Sequence, residues 1–290
     1  MTIVWVQARR TPTNDPEYVA LGSSFAAGAG LGPLQKGSPL LCARSVGGYP
    51  QQVARTLGLS IVDMACGGAV TRHLLHGGQF FQGPQSRVVD KRTRLVTITV
   101  GGNDTLYTGD LSQLAARNTD TVWGWLVRNV WSGPKTEAER NYPRLRAELV
   151  ATIQAIRRRQ PKAAVVLATY PTILPPSGTC PLLSLTRSEA DRMRIVAARL
   201  AATSRAAAEE GGAILVDMNA LGARHHACSD SPWTQGWTNG GIAPFHPNRS
   251  GAAATAEAIV DALRKSPAGV AAVGEHDAPG HQAGSVRRQE

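Results

Sequence analysis

The chain has 290 residues, a formal net charge of +10, 42% hydrophobic and 18% charged residues, a balance that fits a globular protein with a core. No run of eighteen apolar residues occurs, which excludes a membrane-spanning helix, and MTIVWVQARRTPTNDPE at the start has no apolar stretch with a cleavage pattern, so no signal peptide is visible. The positive excess is mostly arginine scattered through helical stretches, with no basic stripe interleaved with aromatics, so a solvated basic surface and no nucleic-acid partner are expected.

Residues 1–16 read as an extended lead-in. YVALG at 18–22 is the first of five nearly continuous apolar runs. A short amphipathic helix, PQQVARTLG at 50–58, leads to the second run, LSIVDMA at 59–65, and the third is LVTITV at 95–100. Residues 104–140 are longer than a usual strand-to-helix connection and carry Trp123, Trp125 and Trp131, which predicts a functional loop. Over 141–160, Leu145, Leu149, Ile153 and Ile156 share one helical face. The fourth run is AAVVLATY at 163–170. A long helix opens with a capping-box pattern at Thr186 and Glu189 and closes at Gly211-Gly212. AILVDM at 213–218 is the fifth run, and a last helix over about 249–265 follows Pro247. Residues 267–290 lack periodicity and are rich in Gly, Ala and Pro, which predicts a disordered tail.

Strands apolar over their whole centre are buried on both faces, as in a parallel sheet covered by helices. The expected fold class is α/β: one domain over 17–266, three layers, with a central parallel sheet of about five strands. Ligands bind such sheets at the carboxyl ends of the strands.

Cys42, Cys66, Cys180 and Cys228 contain no C-x-x-C pair, which argues against a zinc or redox site. Four cysteines allow three pairings. Local pairing, 42 with 66 and 180 with 228, is expected and implies an oxidising compartment; four reduced, buried cysteines are the alternative.

Four segments at strand ends or helix starts could carry chemistry: Gly22-Ser23-Ser24, Cys66-Gly67-Gly68-Ala69, Gly101-Gly102-Asn103-Asp104 and Ala243-Pro244-Phe245-His246-Pro247-Asn248. Ester or amide hydrolysis needs a nucleophilic hydroxyl, a base and donors for an oxyanion. A serine at a strand-to-helix turn supplies the first, and a histidine stiffened by two prolines the second. Gly68 offers an unobstructed N–H and Asn103 a side-chain N–H₂. Each segment alone is an ordinary turn; their order along one chain carries the information.

That combination resembles the SGNH hydrolase family, also called GDSL lipases and esterases, from about Tyr18 to Arg264. ALGSSFAAG is similar to the family's first block, ACGGAVT to the second, VGGND to the third and APFHPNRSG to the last. The pattern is most similar to the secreted actinobacterial lipase and esterase branch, through CARSVGGYP, the cysteine opening the second block and the late cysteine pair. The resemblance implies a flavodoxin-like strand order and no metal or cofactor. It implies Ser24 as nucleophile, His246 as base, and an oxyanion hole of the Ser24 and Gly68 N–H groups with Asn103. Asp104 is expected to be structural.

Two positions depart from the family pattern: Ser23 stands where an aspartate is usual, and Ala243 where many members carry the aspartate of a triad. A Ser24–His246 dyad is therefore expected, with the Ala243 backbone carbonyl orienting the imidazole; Asp217 and Asp230 are rival third members. Leu106, Tyr107, Trp123 and Trp125 are candidates for an acyl pocket or a local core under the loop. His73 and His76 are too few for a metal site, and the sequon at Asn248 is read as coincidental. The implied activity is serine carboxylic-ester hydrolysis of a small ester or lipid by a monomer that is secreted or in the cell envelope. The alternatives are a carbohydrate acetylesterase or phospholipase on the same site, a cationic envelope- or polysaccharide-binding protein without catalysis, and a cytoplasmic location.

Overall fold

The computed structural model describes residues 15–239 and 241–274. Five strands, β1 (Tyr18–Gly22), β2 (Ile61–Asp63), β3 (Leu95–Thr99), β4 (Ala164–Ala168) and β5 (Ile214–Val216), form one sheet in the order β2-β1-β3-β4-β5. All neighbours pair in parallel. The chain steps outward from β1 to β2, then returns to the other side of β1 with β3. The order reverses there, opening a crevice at the strands' carboxyl ends.

Alternation along each strand divides the core. Val19, Leu21, Val96, Ile98, Val165 and Leu167 face one layer, while Tyr18, Ala20, Leu95, Ala164, Val166 and Ala168 face the other. The helices come in chain order as α1 (Ser24–Ala27), α2 (Tyr49–Leu57), α3 (Arg72–Leu75), α4 (Tyr107–Arg117), α5 (Val122–Val130), α6 (Tyr142–Arg159), α7 (Arg187–Gly211), α8 (Met218–Leu221), α9 (Arg249–Lys265) and α10 (Pro267–Val273). On the first face α4, α6 and α7 contribute Leu111, Leu149, Ile153 and Leu200; on the second, α2, α9 and α10 contribute Val53, Ile259 and Ala272. The expected three-layer fold and strand order are those observed. Both local cysteine pairs are disulfides: Cys42–Cys66 joins the loop before α2 to the end of β2, and Cys180–Cys228 joins the loops after β4 and β5.

Two expectations need correction. Residues 104–140 are not an open loop, because α4 and α5 form within them. Tyr107, Leu111 and Leu114 fall at i, i+4 and i+7 and are fully buried, which drives the first helix. The expected tail also starts too early: Pro267–Val273 is helical, Ser266 caps it through Gly269 N–H at 3.1 Å, and Ala272 and Val273 are buried. The lead-in through residue 14 and the tail beyond 274 lie outside the described residues.

Candidate active site

β1 ends at Gly22, with φ 141°, where a Cβ would stand 2.2 Å from the Thr99 carbonyl oxygen. Only glycine lets β1 approach β3 this closely. The buried Gln85 side chain grips the Gly22 peptide on both sides: its Oε1 accepts from Gly22 N–H at 2.8 Å and its Nε2 donates to Gly22 O at 3.0 Å. Ser23 follows in extended conformation and Ser24 opens α1. The nucleophile candidate therefore sits at the first helical position, where backbone N–H groups have no partner within the helix.

The two serines point to different places. Ser23 is fully buried, and its Oγ lies 2.8 Å from the Tyr170 hydroxyl, which also accepts from Gly102 N–H at 3.1 Å. Ser24 Oγ lies 2.7 Å from His246 Nε2. His246 Nδ1 lies 2.9 Å from the Pro244 carbonyl oxygen. A carbonyl can only accept, so Nδ1 carries the proton, and in the neutral ring Nε2 is left to accept from Ser24 Oγ–H. Burial lowers the His246 pKa below its ordinary value, and the Pro244 carbonyl opposes that shift without cancelling it. The ring is held in the state a base requires.

The carbonyl facing Nδ1 is that of Pro244, which corrects the expectation of Ala243. Ala243 O instead accepts from His246 N–H at 3.3 Å, closing a turn with Pro244 and Phe245 at its centre. Phe245 takes φ 61° there and is fully buried. A positive φ at the third residue after proline at the second is the type II pattern, and it turns the Pro244 carbonyl toward the ring. The strain in a phenylalanine, about 1–2 kcal/mol, is offset by burial of its side chain. Phe25 supports the imidazole from the side, with ring centroids 4.7 Å apart, and contacts Tyr170 at 4.4 Å. Asp217 is engaged by Arg205 and caps α8, and Asp230 is exposed, so neither is the third member.

Gly68 takes φ 76° in the Cys66–Ala69 turn, closed by Ala69 N–H to Cys66 O at 3.0 Å. Its own N–H has no hydrogen-bond partner among the described residues. Asn103 Nδ2 donates to Ala69 O at 2.9 Å, which fixes the amide with one of its two hydrogens and leaves the other. Asp104 accepts from the Thr71 N–H at 3.0 Å and from its hydroxyl, and burial raises its pKa. It ties the third block to the second. The buried Arg140 pairs with Asp110 at 2.6 Å and donates to Thr105 O, anchoring the start of α4 just beyond.

The four acyl-pocket candidates do not share one enclosure. Tyr107 is core, Leu106 is exposed beside Asn103, and Trp123 and Trp125 stand exposed on α5. His73 Nδ1 accepts from Val70 N–H at 3.1 Å, and no cluster of three metal-ligating side chains exists among the described residues. The Asn248 side chain caps α9, accepting from Gly251 N–H at 2.9 Å and donating to Pro232 O at 2.6 Å. Sequence reasoning missed Tyr170 and Gln85. Tyr170 ends the fourth apolar run and Gln85 lies in the stretch QGPQSR, and neither has a spacing signal to mark it.

The chain is similar to several known proteins. Residues 20–254 match the model of the GDSL-like lipase/acylhydrolase family. The chain is 34% identical to lipase 2 of Streptomyces coelicolor over 88% of each chain, and 30% identical to a lipase of Streptomyces rimosus over 85% of each. Among solved structures, the extracellular lipase of Streptomyces rimosus aligns with a TM-score of 0.67 at 27% identity, over 84% of this chain and 98% of that one. Phospholipase A1 of Streptomyces albidoflavus aligns with a TM-score of 0.65 at 26% identity over the same shares.

Proposed function

Since the chain belongs to the GDSL-like lipase/acylhydrolase family, and is thereby a carboxylic ester hydrolase, we infer that it cleaves esters through an acyl-enzyme on Ser24 with His246 as base. The observation that carries this reading is the 2.7 Å contact between Ser24 Oγ and His246 Nε2, made by residues 222 positions apart. Nε2 takes the hydroxyl proton as Oγ bonds to the ester carbonyl carbon. The carbonyl electron pair moves onto oxygen, and the N–H groups of Ser24 and Gly68 and the Asn103 amide receive it. Collapse expels the alcohol, which leaves with the proton from Nε2, and water repeats the sequence to release the acid.

The histidine works as half of a dyad. A neutral carbonyl fixes its tautomer but stabilises the imidazolium less than a carboxylate would. An ester with an apolar chain suits this site better than an acetylated sugar, because exposed Leu106 flanks Asn103. Two disulfides, and likeness to an extracellular lipase, support action outside the cytoplasm.

A fluorophosphonate probe tests the assignment. Stoichiometric labelling of the Ser24 peptide, with p-nitrophenyl butyrate hydrolysis blocked in parallel, is expected. Labelling at Ser23, or none, would overturn it. A chain-length series of p-nitrophenyl esters beside acetylated xylan then fixes the acyl preference.

A further inference from the structure

The loops that carry the catalytic blocks leave large apolar side chains in water. Leu40 and Leu41 precede Cys42, whose carbonyl accepts from Gly67 N–H at 3.0 Å. Phe80 and Phe81 follow Gln79, whose amide donates to Gly67 O at 2.6 Å. Leu106 N–H donates to Asn103 O at 3.2 Å, and Ile242 directly precedes the turn that holds His246. These six residues are 41–94% exposed. Phe80, Phe81 and Leu106 also have positive φ, of 48°, 62° and 54°. Left-handed backbone is unfavourable in such residues, and here no buried side chain offsets it. Strain and apolar exposure gathered around one site mark an interaction surface.

Charge on the segments of Leu40, Leu41, Phe80, Phe81 and Ile242 has one sign, while beside Leu106 the carboxylates of Asp104 and Asp110 are engaged by Thr71 and Arg140. Residues 18–62, 64–89 and 231–256 contain no aspartate or glutamate. Lys36 lies in the segment of Leu40, Arg72 reaches to 3.7 Å from where a Gly78 Cβ would stand, close to Phe80, and Arg249 follows His246 by three positions. All three are exposed, and among the described residues none pairs with a carboxylate. Exposed arginines unpaired among the described residues occur elsewhere too, such as Arg187 and Arg192, but there they alternate with acids such as Glu189 and Asp191, whereas residues 18–62, 64–89 and 231–256 have none.

We propose that this apolar and cationic rim docks the enzyme on an anionic phospholipid bilayer, with the catalytic pair facing the lipid. The proposal rests on the ester-hydrolase reading. A protein seated on the rim would cover Ser24, whereas a lipid surface presents its own esters to it. Acyl chains receive the leucines and phenylalanines, and anionic headgroups receive Lys36, Arg72 and Arg249.

Vesicle sedimentation of the full chain carrying Ser24→Ala tests docking without hydrolysis. The protein is expected to sediment with phosphatidylglycerol vesicles and to remain in solution with phosphatidylcholine vesicles. In the same background, Phe80→Ser with Phe81→Ser, and separately Arg72→Glu, should each weaken binding about tenfold or more, with unchanged thermal melting showing that the fold is kept. No sedimentation, equal binding to both lipids, or unaltered binding by both variants would overturn the proposal. Hydrolysis of soluble p-nitrophenyl acetate by the parent chain separates the two readings: activity without vesicle binding sinks docking alone, whereas no activity sinks the hydrolase reading beneath it.

Discussion

At the end of β1, Ser23 occupies the place of an acid and is wholly buried, and its hydroxyl joins Tyr170 and Gly102 in a network across three strand ends. Before α9, Ala243 leaves the second acid's place apolar, and His246 is oriented by the Pro244 carbonyl. The nucleophile side is thus built from side chains, each replaceable one at a time. The base side is built from a backbone turn strained at Phe245. Neither needs a charge, so desolvation of the site is less costly than with two buried carboxylates. In exchange, an imidazolium formed on His246 in the proposed reaction would have a weaker partner.

The largest effects should come from the pair the two sides bring together. Ser24→Ala and His246→Ala are each expected to lower kcat for p-nitrophenyl butyrate by about 10⁴-fold or more. Ser23→Ala should keep a substantial fraction. If Ser23→Ala were the dead variant and Ser24→Ala active, the assignment of the two sides would be reversed. Asn103→Ala comes next, at about 10²–10³ in kcat with KM little changed, as for loss of one oxyanion donor. A change confined to KM would instead make Asn103 a ground-state contact.

Tyr170→Phe tests whether side chains hold the nucleophile side. It removes a hydroxyl whose absence leaves Ser23 Oγ and Gly102 N–H buried without that partner, a loss of about 1–3 kcal/mol in stability. Burial pushes the tyrosine pKa up to about 12, so the group stays neutral through the working range and the loss should not vary with pH. Denaturant melts of Tyr170→Phe, Ser23→Ala and the double variant measure the coupling. Additive losses would mean that the two hydroxyls stabilise the strand ends independently.

The strands were legible because their centres are largely apolar, and the meeting of Ser24 with His246 because four blocks in order constrain one another. Tyr170 was not, because its partner Ser23 is 147 positions away and meets it only when β1 and β4 are laid on either side of β3. The choice between the Ala243 and Pro244 carbonyls depends on the sign of φ at Phe245, which residue type alone argues against. Helix α4 was hidden by Thr108 and Gly109, weak helix formers between its buried apolar positions. The family resemblance supplied the strand order that periodicity could not.

The smallest effect concerns pH, and it probes the base side. His246 must be neutral to accept the Ser24 proton, and burial holds its pKa below 6.5. As pH falls through that lowered value the imidazole protonates and kcat/KM is lost, so the acid limb should have its midpoint below 6.5 and activity should be level just above it. Ala243→Asp places a carboxylate in the turn, where a negative charge favours imidazolium. The acid limb should then move to higher pH, with a stability loss of about 1–3 kcal/mol from crowding a buried position. An acid limb left unmoved would show that the turn holds the new carboxylate away from the ring, and that the Pro244 carbonyl remains the partner of Nδ1.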